Sequence, residues 1–439
     1  MDAEPSISPI AETATSQAPI HLRYFSLLRR NANFRRLWMA QLISELGDWF
    51  YSLAVYDLLL QTTNSAQAVG WAIIIQLLPW FFMTPIAGYL ADRFRRRPLM
   101  ITADAVRAVV VLGLLLIQGA SDVWLVYALL AVEVIFASIF EPARNALLPN
   151  LTEPEEILAA NAISSITWST ALAVGAPLGG AVTALLGRRV AFVVNSVSFL
   201  ISALLIQRIQ TVESHIHAPA RSAESARAPQ EAGSLHEGWR YLRRHPKIVT
   251  LVLAKTGMGM VGGMLLLLAY FGERIYPLAG HGALAMGLLY GVRGAGAAIG
   301  PLFGDHLTRG IQTRMWKSIS LSFFIMAVAY LAFSRAPNLA LAALAVFIAQ
   351  MGSSNIWVMS TALLQLNVAD RFRGRVFALD FGLMMLAASI SNYFVGAGLD
   401  KPGIGARTMA AGLGAVLFFP AFLWLFAQKA WGKAAEQKP

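Results

Sequence analysis

Apolar residues fall in long runs separated by short polar breaks. Runs of ~17–25 apolar residues are long enough to cross a bilayer as helices. They predict about twelve spans, near residues 36–60, 68–90, 99–118, 123–141, 159–186, 190–208, 248–272, 282–306, 315–334, 338–362, 375–397 and 406–428. One stretch breaks the rhythm. Residues 208–247 are rich in Ala, Ser, Glu, Pro, His and Arg and divide the chain near its middle. Their first part reads as a flexible linker. Their last part, 235–246, reads as a basic amphipathic helix lying at a membrane interface. The expected organisation is a tail (1–34), a six-helix bundle (35–208), the linker (209–247), a second six-helix bundle (248–428) and a second tail (429–439). The fold class is an all-α integral membrane protein.

Composition sharpens this. Of 439 residues 57% are hydrophobic and 13% charged, against about 25% charged in a soluble domain. The net charge of +11 would suggest nucleic acid in a soluble chain. Here the basic residues sit in short loops, so the expected partner is the lipid bilayer and no nucleic acid is implied. With the N-terminus inside, roughly 26 Lys and Arg fall in cytoplasmic segments and roughly 6 outside, as positive-inside insertion requires. Both termini are expected in the cytoplasm and the protein in the plasma (inner) membrane. The first ~20 residues lack a basic n-region and an apolar h-region, so no cleaved signal peptide is read. There is no cysteine, which removes disulfides and thiolate metal sites. His215 and His217 in the linker read as solvated side chains, not as a metal site. No cofactor is expected, and the chain is read as a monomer.

Polar groups inside the spans are the candidate chemistry, because an ionisable side chain in mid-membrane costs at least about 2.5 kcal/mol. The first span carries Gln41, Ser44, Glu45, Asp48 and Ser52. Spacings of three and four put all five on one helix face, which must turn to protein or to a water-filled cavity. Glu45 and Asp48 lie close enough to repel, which suits a proton carrier; the alternative is pairing with bases from other helices. Glu133 in the fourth span is a further proton-coupling candidate. Asp104 and Arg107 are three apart and read as an intrahelical ion pair. Asp57, near the outer end, reads as a snorkelling or capping group. In the second half Lys255 and Arg293 either bind an anionic substrate or neutralise the acids of the first half. Asp380 falls on the first turns of its predicted helix, where the helix dipole favours an acid. Gln41, Asn161, Trp168, Asn355 and Trp357 complete the candidate cavity lining, although such polar groups also serve to join helices.

Between spans two and three lies the densest basic loop, Gly88-Tyr-Leu-Ala-Asp92-Arg93-Phe-Arg95-Arg96-Arg97. Composition reads it as a positive-inside anchor. Its order, Gly-x-Leu-Ala-Asp-Arg-x-x-Arg-Arg, resembles the loop 2–3 signature of the major facilitator superfamily, departing from it at Arg95, where the family usually has Gly. The fifth span holds Gly175-Ala-Pro177-Leu-Gly179-Gly180, small residues and a proline suited to close packing and a bend. It resembles the antiporter motif of that superfamily with one residue fewer between Pro and Gly. Phe34-Arg-Arg-Leu-Trp38, Leu46-Gly-Asp48, Ala103-Asp-Ala-Val-Arg107, Pro142-Ala-Arg-Asn-Ala-Leu-Leu-Pro149, Ala159-Ala-Asn-Ala162 and Arg373-Gly-Arg-Val376 are similar to the enterobactin-exporter and macrolide-efflux branch.

The resemblance implies a twelve-helix fold, alternating access between two halves and proton-coupled export of a small organic molecule. It also implies that Gly88, Asp92, Arg93, Arg96 and Arg97 latch the outward-facing state through the inner end of helix 11. Position alone adds Glu141, near the inner end of the fourth span, as a partner that Arg96 is expected to reach across the loop, a state-dependent latch rather than a transport site. A facilitator that moves lipid or takes up a nutrient is the alternative. From another class, an intramembrane enzyme is disfavoured: the chain has no His-Glu-x-x-His and no Gly-x-Gly-Asp. A sensor would carry a signalling domain, and none is visible.

Overall fold

The structure is a computed structural model that describes residues 26–153, 156–210, 244–309, 311–368 and 370–431. Within these, the side chains of residues 81, 84, 85, 88, 92, 158, 159, 162, 305, 370–375, 378 and 431 lie outside the description. So does the expected interfacial helix before residue 244.

The described residues form twelve helical rods, α1 Ala32–Thr63, α2 Ala66–Arg93, α3 Arg96–Gly113 and α4 Val123–Leu147, α5 (157–186) and α6 Arg188–Gln207, α7 Pro246–Ile275, α8 Gly282–Thr308, α9 Gln312–Arg335, α10 Leu339–Asn367, α11 Asp370–Leu399 and α12 Ala406–Ala430. Ten of them contain stretches long and apolar enough to cross a membrane. In α2 the apolar stretch is the shorter Ala66–Trp80. In α1 the polar face lowers the hydropathy, although 32 residues reach easily across. The turns follow from their caps. Asn64 ends α1 in the left-handed conformation, and Ser65 opens α2 by accepting from Ala68 N–H. In α5 a π-helical turn, Ala171–Gly175, precedes Pro177. Proline has no N–H to give to the preceding turn, and the widened turn absorbs the mismatch.

Two groups of six form, and their packing repeats. In the first, α2 packs on α4, α3 on α6 and α3 on α4; in the second, α8 packs on α10, α9 on α12 and α9 on α10. Each contact maps onto its counterpart when six is added. The seams between groups, α2 with α11 and α5 with α8, exchange under the same operation. A polytopic chain folded in two pseudo-symmetric six-helix bundles satisfies this pattern.

The seams are tight toward the end carrying Asp400. A methyl group at Gly287 of α8 would stand 2.6 Å from the Ala176 carbonyl of α5, and one at Gly180 would collide with the Ala283 carbonyl. Trp71 of α2 meets Tyr393 of α11 edge-on at 5.7 Å. Two charges from the second group then grip the α1–α2 turn. Arg274 donates to the Leu60 carbonyl at 2.9 Å and to Asn64 Oδ1 at 2.6 Å. The Asp400 carboxylate accepts from Ser65 Oγ at 2.5 Å, Ala66 N at 2.8 Å and Gln67 N at 3.1 Å.

Candidate functional site

The polar face of α1 turns into the first bundle. Gly47 sets how deep it goes: a Cβ there would strike Ser198 and Asn195 of α6. Next to it, Asp48 meets Arg107 of α3, whose Nη2 donates to both carboxylate oxygens at 3.1 Å. Arg107 also donates through Nε to Glu133 Oε1 of α4 at 2.8 Å. Its Nη1 lies 3.6 Å from Asp104 Oδ1. The Phe199 ring of α6 covers the guanidinium at 3.9 Å. Three helices thus bring three carboxylates to one guanidinium in a largely dry interior. Asp48 is the most exposed of the three: its side chain is 35% exposed, against 7% for Glu133 and 0% for Asp104.

The intrahelical Asp104–Arg107 pair expected from spacing is therefore the weakest of the three contacts. Arg107 is the hub, and its principal partners come from α1 and α4.

One turn toward the Arg93 end a second chain of contacts runs across the bundle. Arg144 of α4 donates to Glu141 Oε2 at 2.7 Å and to Gln41 Oε1 at 2.5 Å. Gln41 passes its amide to Glu45 Oε1 at 2.8 Å and to the Ser164 carbonyl at 3.3 Å. Glu45 Oε2 is buried without a hydrogen-bond partner. Gln41 is consumed in this relay rather than lining a cavity. Glu141 is held by Arg144, not by Arg96. Arg96 donates instead to the carbonyls of Ala91 at 3.3 Å and Ala146 at 2.7 Å.

For the rest of the basic loop, Arg93 bonds Tyr89 Oη at 2.7 Å and Arg97 bonds the Gln207 carbonyl. The side chains of Asp92 and Gly88 lie outside the described residues.

In the second bundle Lys255 of α7 and Asp380 of α11 form a buried ion pair at 2.6 Å. The Trp357 ring of α10 lies 4.6 Å from the ammonium. Lys255 thus neutralises an acid of its own bundle, not one of the first half. Asp380 is not a first-turn acid either: α11 begins at Asp370. Asn355 donates to Ser318 and Ser322 of α9 at 2.6 and 2.8 Å and so joins helices. Asn161 is exposed and bonds its own helix at Ile157, while Trp168 is exposed. Asp57 is buried, 3.7 Å from Arg188 and accepting from Gln61 at 2.7 Å.

The α5 residues have distinct neighbours. Gly175 faces Leu46 and Trp49 of α1, Gly179 lies against the Phe50 backbone, and Pro177 fills the notch at Gly291 of α8. Arg293 of α8, half-buried, has no hydrogen bond or ion pair among the described residues.

Known proteins place this arrangement. The Major Facilitator Superfamily family pattern matches residues 37–381. The chain belongs to that superfamily. Among curated relatives, the uncharacterised MFS-type transporter YfiS of Bacillus subtilis is 31% identical over 52% of this chain and 53% of its own. The chain thus spans about half the length of that relative, and 66% of YkuC from the same organism. Macrolide efflux protein A of Streptococcus pyogenes is 25% identical over 86% of this chain and 92% of its own. Among solved structures, a bacterial homologue of the iron transporter ferroportin in an inward-facing state superposes with TM-score 0.69 at 16% identity, covering 92% of this chain and 99% of that one. A peptide transporter POT variant superposes with TM-score 0.72 at 12% identity, covering 95% and 99%. At such identities these two structures speak for the fold.

Spacing within one helix pointed to Glu45 and Asp48. It missed Arg107 as a hub, and Arg144, Ser164 and Phe199 altogether. Glu141 and Arg144, three apart, and Gln41 and Glu45, four apart, carried the local signals for the relay.

Proposed function

We propose that this transporter exports a small organic compound in exchange for protons, by alternating access between the halves 35–208 and 248–428. The observation that carries the reading is the imbalance around Arg107. Three carboxylates share one guanidinium, and a fourth, Glu45, sits beyond them with a bare oxygen. A buried site with surplus carboxylates is stabilised by taking up a proton, because unpaired charge in a low dielectric is costly. Asp48, the most exposed of the three carboxylates, is the natural point of proton exchange. Protonating Asp48 or Glu133 weakens the Arg107 bridges between α1, α3 and α4, and this biases the equilibrium between states.

Export is supported by macrolide efflux protein A, whose match extends over most of both chains. The arginine-rich α2–α3 loop supports an orientation in the inner membrane with its end of the bundle and both termini in the cytoplasm. The Asp400 end, closed in this structure, then faces outward. The α2–α3 loop, with Gly88, Asp92, Arg93, Arg96 and Arg97, is the latch of the opposite state.

The test is proton flux in proteoliposomes with macrolides, siderophores and lipophilic cations supplied in turn. Compound-dependent proton flux, abolished in Asp48→Asn, supports antiport. Export that continues unchanged in Asp48→Asn removes Asp48 from the proton path.

A further inference from the structure

Four cations lie well inside the helices discussed above, and three are accounted for. Arg107 holds Asp48 and Glu133, Arg144 holds Glu141, and Lys255 holds Asp380. Arg293 has no such partner among the described residues. It sits in the middle of α8, half-buried. A guanidinium carries five N–H donors in a rigid fork. An ionisable group without an acceptor inside a membrane span is costly to keep unless it serves a ligand or pathway.

Its direction is fixed by its neighbours on the helix. Gly291 presses on Pro177 of α5, and a Cβ at Gly294 would stand 2.5 Å from Ala173 N of the same helix. A Cβ at Gly296 would stand 2.5 Å from the Phe347 carbonyl of α10. With both flanks backed by other helices, α8 cannot roll to carry Arg293 out to lipid. One turn earlier, Tyr290 packs against Trp49 of α1 at 5.9 Å and against Tyr56 at 6.3 Å between ring centroids. These are the rings of the opposite half. Arg293 lies within electrostatic reach of Tyr56, Tyr290 and Tyr330. The hydroxyls of Tyr56 and Tyr290 are already committed, to Gln76 Oε1 at 2.5 Å and to the Leu265 carbonyl at 2.8 Å. Both of these rings are buried, Tyr290 to 1% and Tyr56 to 6% exposure, so they back the site from behind; the half-buried Trp49 ring and the guanidinium are what remains to face a ligand.

We propose that Arg293 anchors an acidic group of the transported compound, whose apolar or aromatic body lies along Trp49, the half-buried ring of α1 that Tyr290 supports. The substrate class is an organic anion, a carboxylate or phosphate ester able to take the guanidinium fork in two parallel bonds. The inference rests on the transporter reading and narrows it. It also gives a physical link to the proton site. Trp49 is the next residue after Asp48, so the helix turn that lines the substrate wall also holds the Arg107 bridge.

The experiment uses the full chain in nanodiscs and proteoliposomes, with three probes of one shape: 1-naphthoate, neutral 1-naphthamide and 1-naphthylmethylammonium. Binding is read by tryptophan fluorescence and flux by a pH dye. The wild type should bind 1-naphthoate about tenfold more tightly than the amide or the ammonium, as one charge-assisted pair allows. Arg293→Gln should erase that preference, bringing the three probes to equal affinity. Arg293→Lys should keep part of it, and serves as the readout if Arg293→Gln fails to fold. Three results would overturn the site: no binding of 1-naphthoate at millimolar concentration, equal affinity of the wild type for the three probes, or a preference that survives Arg293→Gln. Proton flux with other compounds but no preference for 1-naphthoate leaves the transporter reading standing and removes the anion site. Preference lost in Arg293→Gln without any proton flux does the reverse.

Discussion

Asp400, the residue that follows α11, caps the first turn of α2 through Ser65. Its carboxylate takes the Ser65 hydroxyl and two backbone N–H groups that the start of a helix leaves without partners. On the other side of the same turn, Arg274 takes the Leu60 carbonyl near the end of α1. Each charge has the sign that the helix end it meets prefers. One half of the molecule thus holds the other by the two ends of a single turn, and the hold requires no matching side chain beyond Ser65 and Asn64.

This clamp should set how long the Asp400 end stays closed. Hydrogen bonds to a charged group contribute about 1.5–3 kcal/mol each. Losing the equivalent of one should shift the ratio of closed to open molecules about tenfold. Because the chain has no cysteine, spin labels at Ser121→Cys and Pro337→Cys report the separation without background. Asp400→Ala should raise the population at long distance. Distance distributions identical to the wild type would show that the glycine seams alone close this end.

At the Arg107 hub the direction of the effect depends on which partner is removed. Arg107→Met leaves Asp48, Asp104 and Glu133 facing one another without a cation, a loss of about 3–5 kcal/mol by analogy with other broken buried pairs. It should lower the melting temperature as well as stop transport. Glu133→Gln removes a charge from a site that already has too many and keeps an acceptor for Arg107 Nε. It should stay folded at near wild-type stability and lose proton coupling. Melting in detergent separates the two, and equal losses of stability in both variants would contradict the hub.

The helices were legible because a bilayer imposes a length on every span, and the seams of small residues were legible in α5. Their ends were harder to read for a local reason. The predicted fourth span stops at Glu141, yet α4 continues through Pro142 to Leu147, which brings Arg144 into the bundle. The predicted eleventh span begins after a basic run, yet that run forms the first turns of α11. The polar stripe of α1 was legible because all its members share one helix. The destination of Arg107 was not, because the sequence shows only the neighbour three residues away. Asp48 and Glu133 are 59 and 26 residues distant, and only the packing of α1, α3 and α4 brings them together.

The α5–α8 seam should be intolerant of even one methyl group. A Cβ at Gly180 meets the backbone carbonyl of Ala283, which cannot rotate aside as a side chain would. Gly180→Ala should therefore open the seam or destabilise the fold by about 1–3 kcal/mol. The labels at Ser121→Cys and Pro337→Cys and a melting curve read both effects. Gly412 of α12 has nothing within 4 Å, so Gly412→Ala is the matched control and should alter neither. Unchanged distances and stability in Gly180→Ala would mean that the seam has slack.

The Lys255–Asp380 pair offers a test of whether a buried ion pair here serves stability or exchange. Both groups are buried, 2.6 Å apart, and Asp380 Oδ1 has no hydrogen-bond partner. The rings of Trp357 and Phe377, at 4.6 and 5.8 Å, shield the ammonium. Removing either member alone strands the other charge in a dry interior, at about 3–5 kcal/mol. Removing both relieves that penalty, and apolar packing often replaces such a pair at no loss. Lys255→Met should therefore melt well below the wild type, and Lys255→Met combined with Asp380→Asn should recover most of the difference. The non-additivity is the signature of direct coupling. If the double variant is stable and still transports, the pair is structural. If it is stable and inactive, the second bundle carries a charge switch of its own, beside the one at Arg107. A Lys255→Met protein as stable as the wild type would contradict the pairing itself.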